Sequence, residues 1–147
     1  MAHIPSEILE QGCVILDEVL RPHGFRHDAI VSGKGSGGPY ATTAYVNSDR
    51  RLEIHFRFSL GLVSYHFGLM SVSHDEFMWA VLGSEGGNQY PGFSDEPAQS
   101  FRWLAHDLQN FAQSFLTGDG SAFGKFEAIA KKRASSTGFA RLAESES

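Results

Sequence analysis

Cysteine is almost absent: Cys13 is the only one in 147 residues. That excludes an internal disulfide and fits a reducing compartment. No apolar run approaches the ~20 residues of a membrane-spanning helix. The opening "MAHIPSEILEQG" has no basic stretch followed by an apolar core, so no signal peptide is expected and the chain reads as cytoplasmic. Basic residues are scarce, with 12 Lys and Arg against 17 Asp and Glu and a net charge of −5. This disfavours the phosphate backbone of nucleic acid as a partner. Catalytic signatures are missing as well: there is no G-x-S-x-G, H-E-x-x-H, paired-Cys or kinase-like pattern. The reading therefore leans away from an enzyme and expects no cofactor.

What is present describes one folded domain over residues 1–147. Apolar residues make up 41% of the chain and charged residues 20%, the usage of an ordinary packed domain. Twelve of the aromatics are Phe, enough to close a core without cross-links. The last quarter is locally basic, with Lys125, Lys131, Lys132 and Arg133 close together, and reads as a solvated helix face. From Ala134 the composition turns small and polar, and a fraying tail is expected there.

Pro5 and Ser6 open a helix in which Ile8, Leu9, Cys13, Leu16 and Leu20 recur at helical spacing. "RPHGF" ends it. Phe25 to Val31 reads as a strand and the glycine-rich "SGKGSGG" as a loop. Leu52, Ile54, Phe56, Phe58 and Leu60 alternate with polar neighbours, and Val63, Tyr65, Phe67 and Leu69 answer them, two strands each with one buried and one wetter face. "ATTAYV" supplies another strand. Ser73 and Glu76 form a capping-box pair at the start of a helix. Pro97 opens a longer one with a continuous apolar stripe to Phe115, and a final helix begins near Phe123. The architecture predicted is α+β in two layers: an N-terminal helix, an antiparallel meander of three or four strands, then three helices packed on one sheet face.

Two candidate binding areas follow. On the open sheet face, a Leu60-Gly61 turn would set His55 opposite His66. A Gly61-Leu62 turn would set Arg57 opposite His66, with His55 on the diagonal. Gly in the first turn position favours the second. In either register His55 and His66 are neighbours, within ~8 Å between backbones. His55, Arg57 and His66 would make an anion or small-molecule site. No metal is expected there, because no carboxylate or Cys stands at ligand spacing and Arg57 opposes a cation. The second area is "GSEGGNQYPGFSDEP", residues 83–97, too long for a plain connection between helices. Asn88, Tyr90 and Phe93 flank its Pro-Gly pair. Trp103, off the apolar stripe of the long helix, is placed either to be covered by this loop or to anchor a partner.

The helix ending in "RPHGF", the following meander and the later helices resemble small bacterial α+β proteins of unknown function, some of them similar to immunity proteins that neutralise a toxin. That resemblance implies a non-enzymatic, protein-binding module, with a protein partner rather than a membrane; a homodimer stays open.

Overall fold

A computed structural model describes residues 4–57, 60–92 and 96–146, with side chains to 133. Helix α1 spans Pro5–Leu20, and its whole predicted apolar stripe is buried. It ends where Gly24 takes a left-handed φ of 88°, a conformation open to glycine at little cost. The chain then enters an antiparallel sheet: β1 (Arg26–His27), β2 (Val31–Gly35), β3 (Gly38–Asn47), β4 (Arg50–Phe56), β5 (Leu60–Phe67) and β6 (Met70–Ser73). Neighbours in sequence are neighbours in the sheet, except that β1 and β2 both pair with β3. They are two pieces of one edge. His27 faces Tyr45 and Val31 faces Thr42, so three residues, 28–30, oppose two, 43–44. That is a β-bulge.

Helices α2 (His74–Leu82), α3 (Pro97–Phe111), α4 (Gln113–Leu116) and α5 (Gly120–Glu146) follow. The Ser73 hydroxyl accepts the Glu76 N–H, the expected cap of α2. The predicted stripe to Phe115 is divided by a break at Ala112 between α3 and α4, and α5 keeps helical backbone to Glu146, through the stretch assigned to a tail. Ala, Leu, Arg and Glu in that stretch are good helix formers.

Aromatic contacts show which sheet face the helices cover. Phe56 stacks on Phe101 of α3, Tyr65 meets Phe77 of α2 and Phe115 of α4, and Phe67 meets Phe123 of α5. The α+β architecture is as predicted, with six strand segments in place of three or four. The strand predicted over Phe25 to Val31 is cut to the two-residue β1 by the bulge, and the extra ones are the glycine-rich β2 and the four-residue β6. Arg50, at the start of β4 on the covered face, donates to the carbonyls of Phe115, Leu116 and Gly118. It thereby satisfies the end of α4, whose last carbonyls have no partner within the helix.

The stretch read as a loop, "SGKGSGG", is largely strand. Gly33, Gly35 and Gly37 alternate, and a Cβ at Gly33 would overlap the Tyr40 ring while one at Gly37 would overlap the Arg57 guanidinium. The glycines make a floor on which those two side chains lie. A second close approach lies between helices. A Cβ at Gly12 of α1 would overlap the ring of Phe101 on α3, and that ring is fully buried. Gly12→Ala is expected to destabilise the fold by about 1–3 kcal/mol, the usual cost of overpacking, despite its better helix propensity. A urea melt checks this; a more stable variant would show that the α1–α3 contact is loose.

Candidate functional site

The second face of the sheet carries no helix among the described residues, and its side chains form cross-strand rows. In one, Tyr40 stacks on His55 at 5.3 Å and Arg57 lies over the same ring at 5.6 Å. The Nε of Arg57 is buried without a hydrogen-bond partner among the described residues. In the next rows Thr42 faces His55, Ala44 faces Glu53, and Glu53 faces Ser64. An ionic chain crosses them. Arg51 lies 3.6 Å from Asp28 and 3.3 Å from Glu53, and His66 Nε2 lies 3.2 Å from the same Glu53 oxygen. Between the rows is a cavity of about 220 Å³, walled by Asp28, Arg51, His55 and Leu62 with Thr42 and Ser64 at its base.

His55 and His66 share this face but are not neighbours. Arg51 faces His66, and the hairpin closes at Phe56↔Leu60, so the connection is residues 57–59 rather than a Gly-first two-residue turn. Between Ile54↔Val63 and Phe56↔Leu60 the register shifts, leaving His55 opposite both Gly61 and Leu62. Gly61 lies at this bulge, beside the His55 carbonyl. Arg57 belongs to Tyr40, His55 to Tyr40 and His66 to Glu53, so the three do not converge on one anion.

The loop candidates are inward. The Tyr90 ring is buried, and its hydroxyl lies 2.7 Å from the Leu60 carbonyl and 2.5 Å from that of Gly61. These are the carbonyls at the bulge. Burial pushes the Tyr90 phenol up to about 12. Asn88 donates to the Tyr90 carbonyl at 2.6 Å. Trp103 is packed against the core and Gly92 lies on its ring, with room for no Cβ, so the loop covers it. Phe93 lies outside the described residues.

Two polar clusters lie where the sequence pointed to no site. The first links β5, α2, α3 and the loop. The Tyr65 hydroxyl is 2.5 Å from His74 Nδ1, and His74 Nε2 is 3.0 Å from Asp107. The carboxylate also accepts the Gln89 and Tyr90 N–H groups at 2.7 and 2.8 Å and His106 Nδ1 at 3.1 Å. A carboxylate only accepts, so Nε2 of His74 carries its proton towards Asp107. Burial foremost pushes the Tyr65 phenol well above its usual value, so Tyr65 keeps its proton and donates to Nδ1. Burial alone would raise the Asp107 carboxyl, but the bonds from His74, Gln89, Tyr90 and His106 outweigh it and hold it below the usual range. His74 and Asp107 are almost wholly buried. The His74–Asp107 pair at the centre of this clamp is closed to solvent, and only Gln89 and His106 at its edge reach the surface. Asp107 sits three residues after Leu104, on the edge of the stripe, and a poor helix former there was the one available signal.

The second cluster joins α1 to the sheet edge. Cys13 Sγ and Thr43 Oγ1 lie 3.2 and 2.8 Å from His27 Nε2, and Thr43 Oγ1 also lies 3.0 Å from the Asp28 carbonyl. The carbonyl takes the one hydroxyl proton, so Thr43 accepts from Nε2, which must be protonated. That nitrogen cannot then take a proton from Cys13. Burial foremost pushes the thiol up to about 11, with Asp17 and Glu10 adding to it against a bond from Tyr45. A nucleophilic Cys–His pair needs the opposite on both counts.

Among the described residues, no group of three or more His, Cys, Asp or Glu is placed to hold a metal, and no helix is long and apolar enough to cross a membrane. No family model, curated protein or solved structure matches the chain.

Proposed function

We propose that this chain is a non-enzymatic, immunity-like protein-binding module that meets its partner on the uncovered face of the sheet. The observation that supports this reading is the distribution of layers. Among the described residues, the sheet–helix ring contacts lie on the Phe56–Tyr65–Phe67 side, while the other side presents an ionic chain beside exposed Val31 and Leu62. Mixed apolar and charged surface held by a rigid sheet suits a protein contact. A converging anion site is disfavoured, because His55 and Arg57 are both engaged by the Tyr40 ring while His66 stands apart on Glu53. The two catalytic-looking clusters are closed or wrongly protonated for chemistry.

Affinity capture from the native cell tests this, comparing the wild type with a Val31→Asp/Leu62→Asp variant. The wild type is expected to retain a defined protein and the variant at least ~10-fold less, since a buried charge at a contact centre costs over 1.4 kcal/mol. Both side chains are exposed, so the melting temperature should hold. Equal capture by the two proteins would place the contact elsewhere.

A further inference from the structure

Resting on that reading, we infer that the cavity between β2, β3, β4 and β5 is a socket for one basic side chain, lysine or arginine, of the protein partner. Its floor is made of small residues, Thr42, Ala44 and Ser64, and its rim of longer ones, Arg51, Glu53, His55 and Leu62. About 220 Å³ falls below the usual ~300–1,000 Å³ of a small-molecule pocket, and it suits a single side chain.

Charge selects the occupant. Among the lining residues Asp28 and Glu53 bring two negative charges and Arg51 one positive, while Arg57 lies outside the lining, over Tyr40, so the carboxylates outnumber the fixed cations by one. Arg51 and His66 both approach Oε1 of Glu53, and Oε2 has no protein partner among the described residues. The side-chain polar atoms of Thr42, His55 and Ser64 also have no protein hydrogen-bond partner among the described residues. Two hydroxyls and an imidazole beside a half-used carboxylate can accept several N–H bonds, as an ammonium or guanidinium requires. Val31 and Leu62, 60% and 63% exposed, offer apolar walls for its methylene stem, which such side chains pack against apolar surface. An acidic side chain would instead meet Glu53 and Asp28 with like charge.

The test is NMR titration of the folded protein with N-acetyl-lysine methylamide and N-acetyl-arginine methylamide, with the glutamate analogue as control. The basic analogues are expected to shift amides at Thr42, Ala44, Glu53, His55 and Ser64 in a saturable way, and the glutamate analogue not to. Glu53→Gln, which removes the charge, and Ser64→Leu, which fills the floor, should each weaken this at least ~10-fold (1.4 kcal/mol at 25 °C) while keeping a dispersed spectrum. Shifts of equal size with the glutamate analogue, scattered shifts, or unchanged titration of both variants would overturn the socket. In the capture experiment, loss of the partner by Glu53→Gln is expected. Its retention, together with loss by Val31→Asp/Leu62→Asp, would sink the socket and leave the sheet-face reading standing.

Discussion

Asp107→Ala is expected to lower stability by roughly 3–5 kcal/mol, because buried donors left without an acceptor each cost about 1–3 kcal/mol. Four donors lose their partner at once: His74 Nε2, the Gln89 and Tyr90 N–H groups, and His106. Asp107→Asn should recover little. Two donors point at each carboxylate oxygen, so an amide NH2 in either orientation meets donors. For a chain of this size each kcal/mol moves the melting temperature by about 2–4 °C. Calorimetry showing an unchanged midpoint for Asp107→Ala would mean that the clamp is not formed in solution.

The same carboxylate sets an acid limit. Its folded pKa lies below the usual carboxylate value, so the folded state holds fewer protons than the unfolded chain in that range. The stabilisation is complete above the ordinary carboxylate pKa of ~4 and is lost as pH falls through the lowered folded value. Wild-type stability should therefore drop more steeply below about pH 4 than that of Asp107→Asn, which has no such group to protonate. Parallel curves would show that the acid limit belongs to other carboxylates.

How far the fold was legible follows from what alternation can say. Leu52, Ile54 and Phe56, and Val63, Tyr65 and Phe67, all face the core, because a period of two assigns faces directly. Position along the partner strand is a separate matter, decided by the connection and by bulges. Turn chemistry favours a Gly-first turn at Gly61, but that glycine lies in the bulge, and Arg51 takes the place opposite His66. The glycines of "SGKGSGG" carried an entropic cost legible from composition. Their alternation gains meaning only once Tyr40 and Arg57 lie across them. His74 and Asp107 are 33 residues apart, and no local pattern announces such a pair. The ionic chain was invisible for a related reason: Asp28 enters it from an edge bulge, whose extra residue no periodicity shows.

The loop over residues 83–97 gives the second large effect. Tyr90→Ala is expected to cost about 3–5 kcal/mol, the usual loss for truncating a buried aromatic. The ring is buried in the core against His74, at 5.5 Å between centroids. Tyr90→Phe keeps the ring and removes only the hydroxyl, leaving the Leu60 and Gly61 carbonyls at the bulge without their donor. Its cost should be smaller, about 1–3 kcal/mol for buried acceptors left unpaired. The two variants separate packing from hydrogen bonding, and urea melts of both measure each part. A loop that merely connects α2 to α3 would tolerate both changes. A loop serving the bulge shows the graded loss, and it leaves partner capture through the opposite sheet face unchanged in Tyr90→Phe. Should Tyr90→Phe abolish capture while keeping its stability, the partner contact would lie on this loop, and the sheet face would lose its claim to be the binding surface.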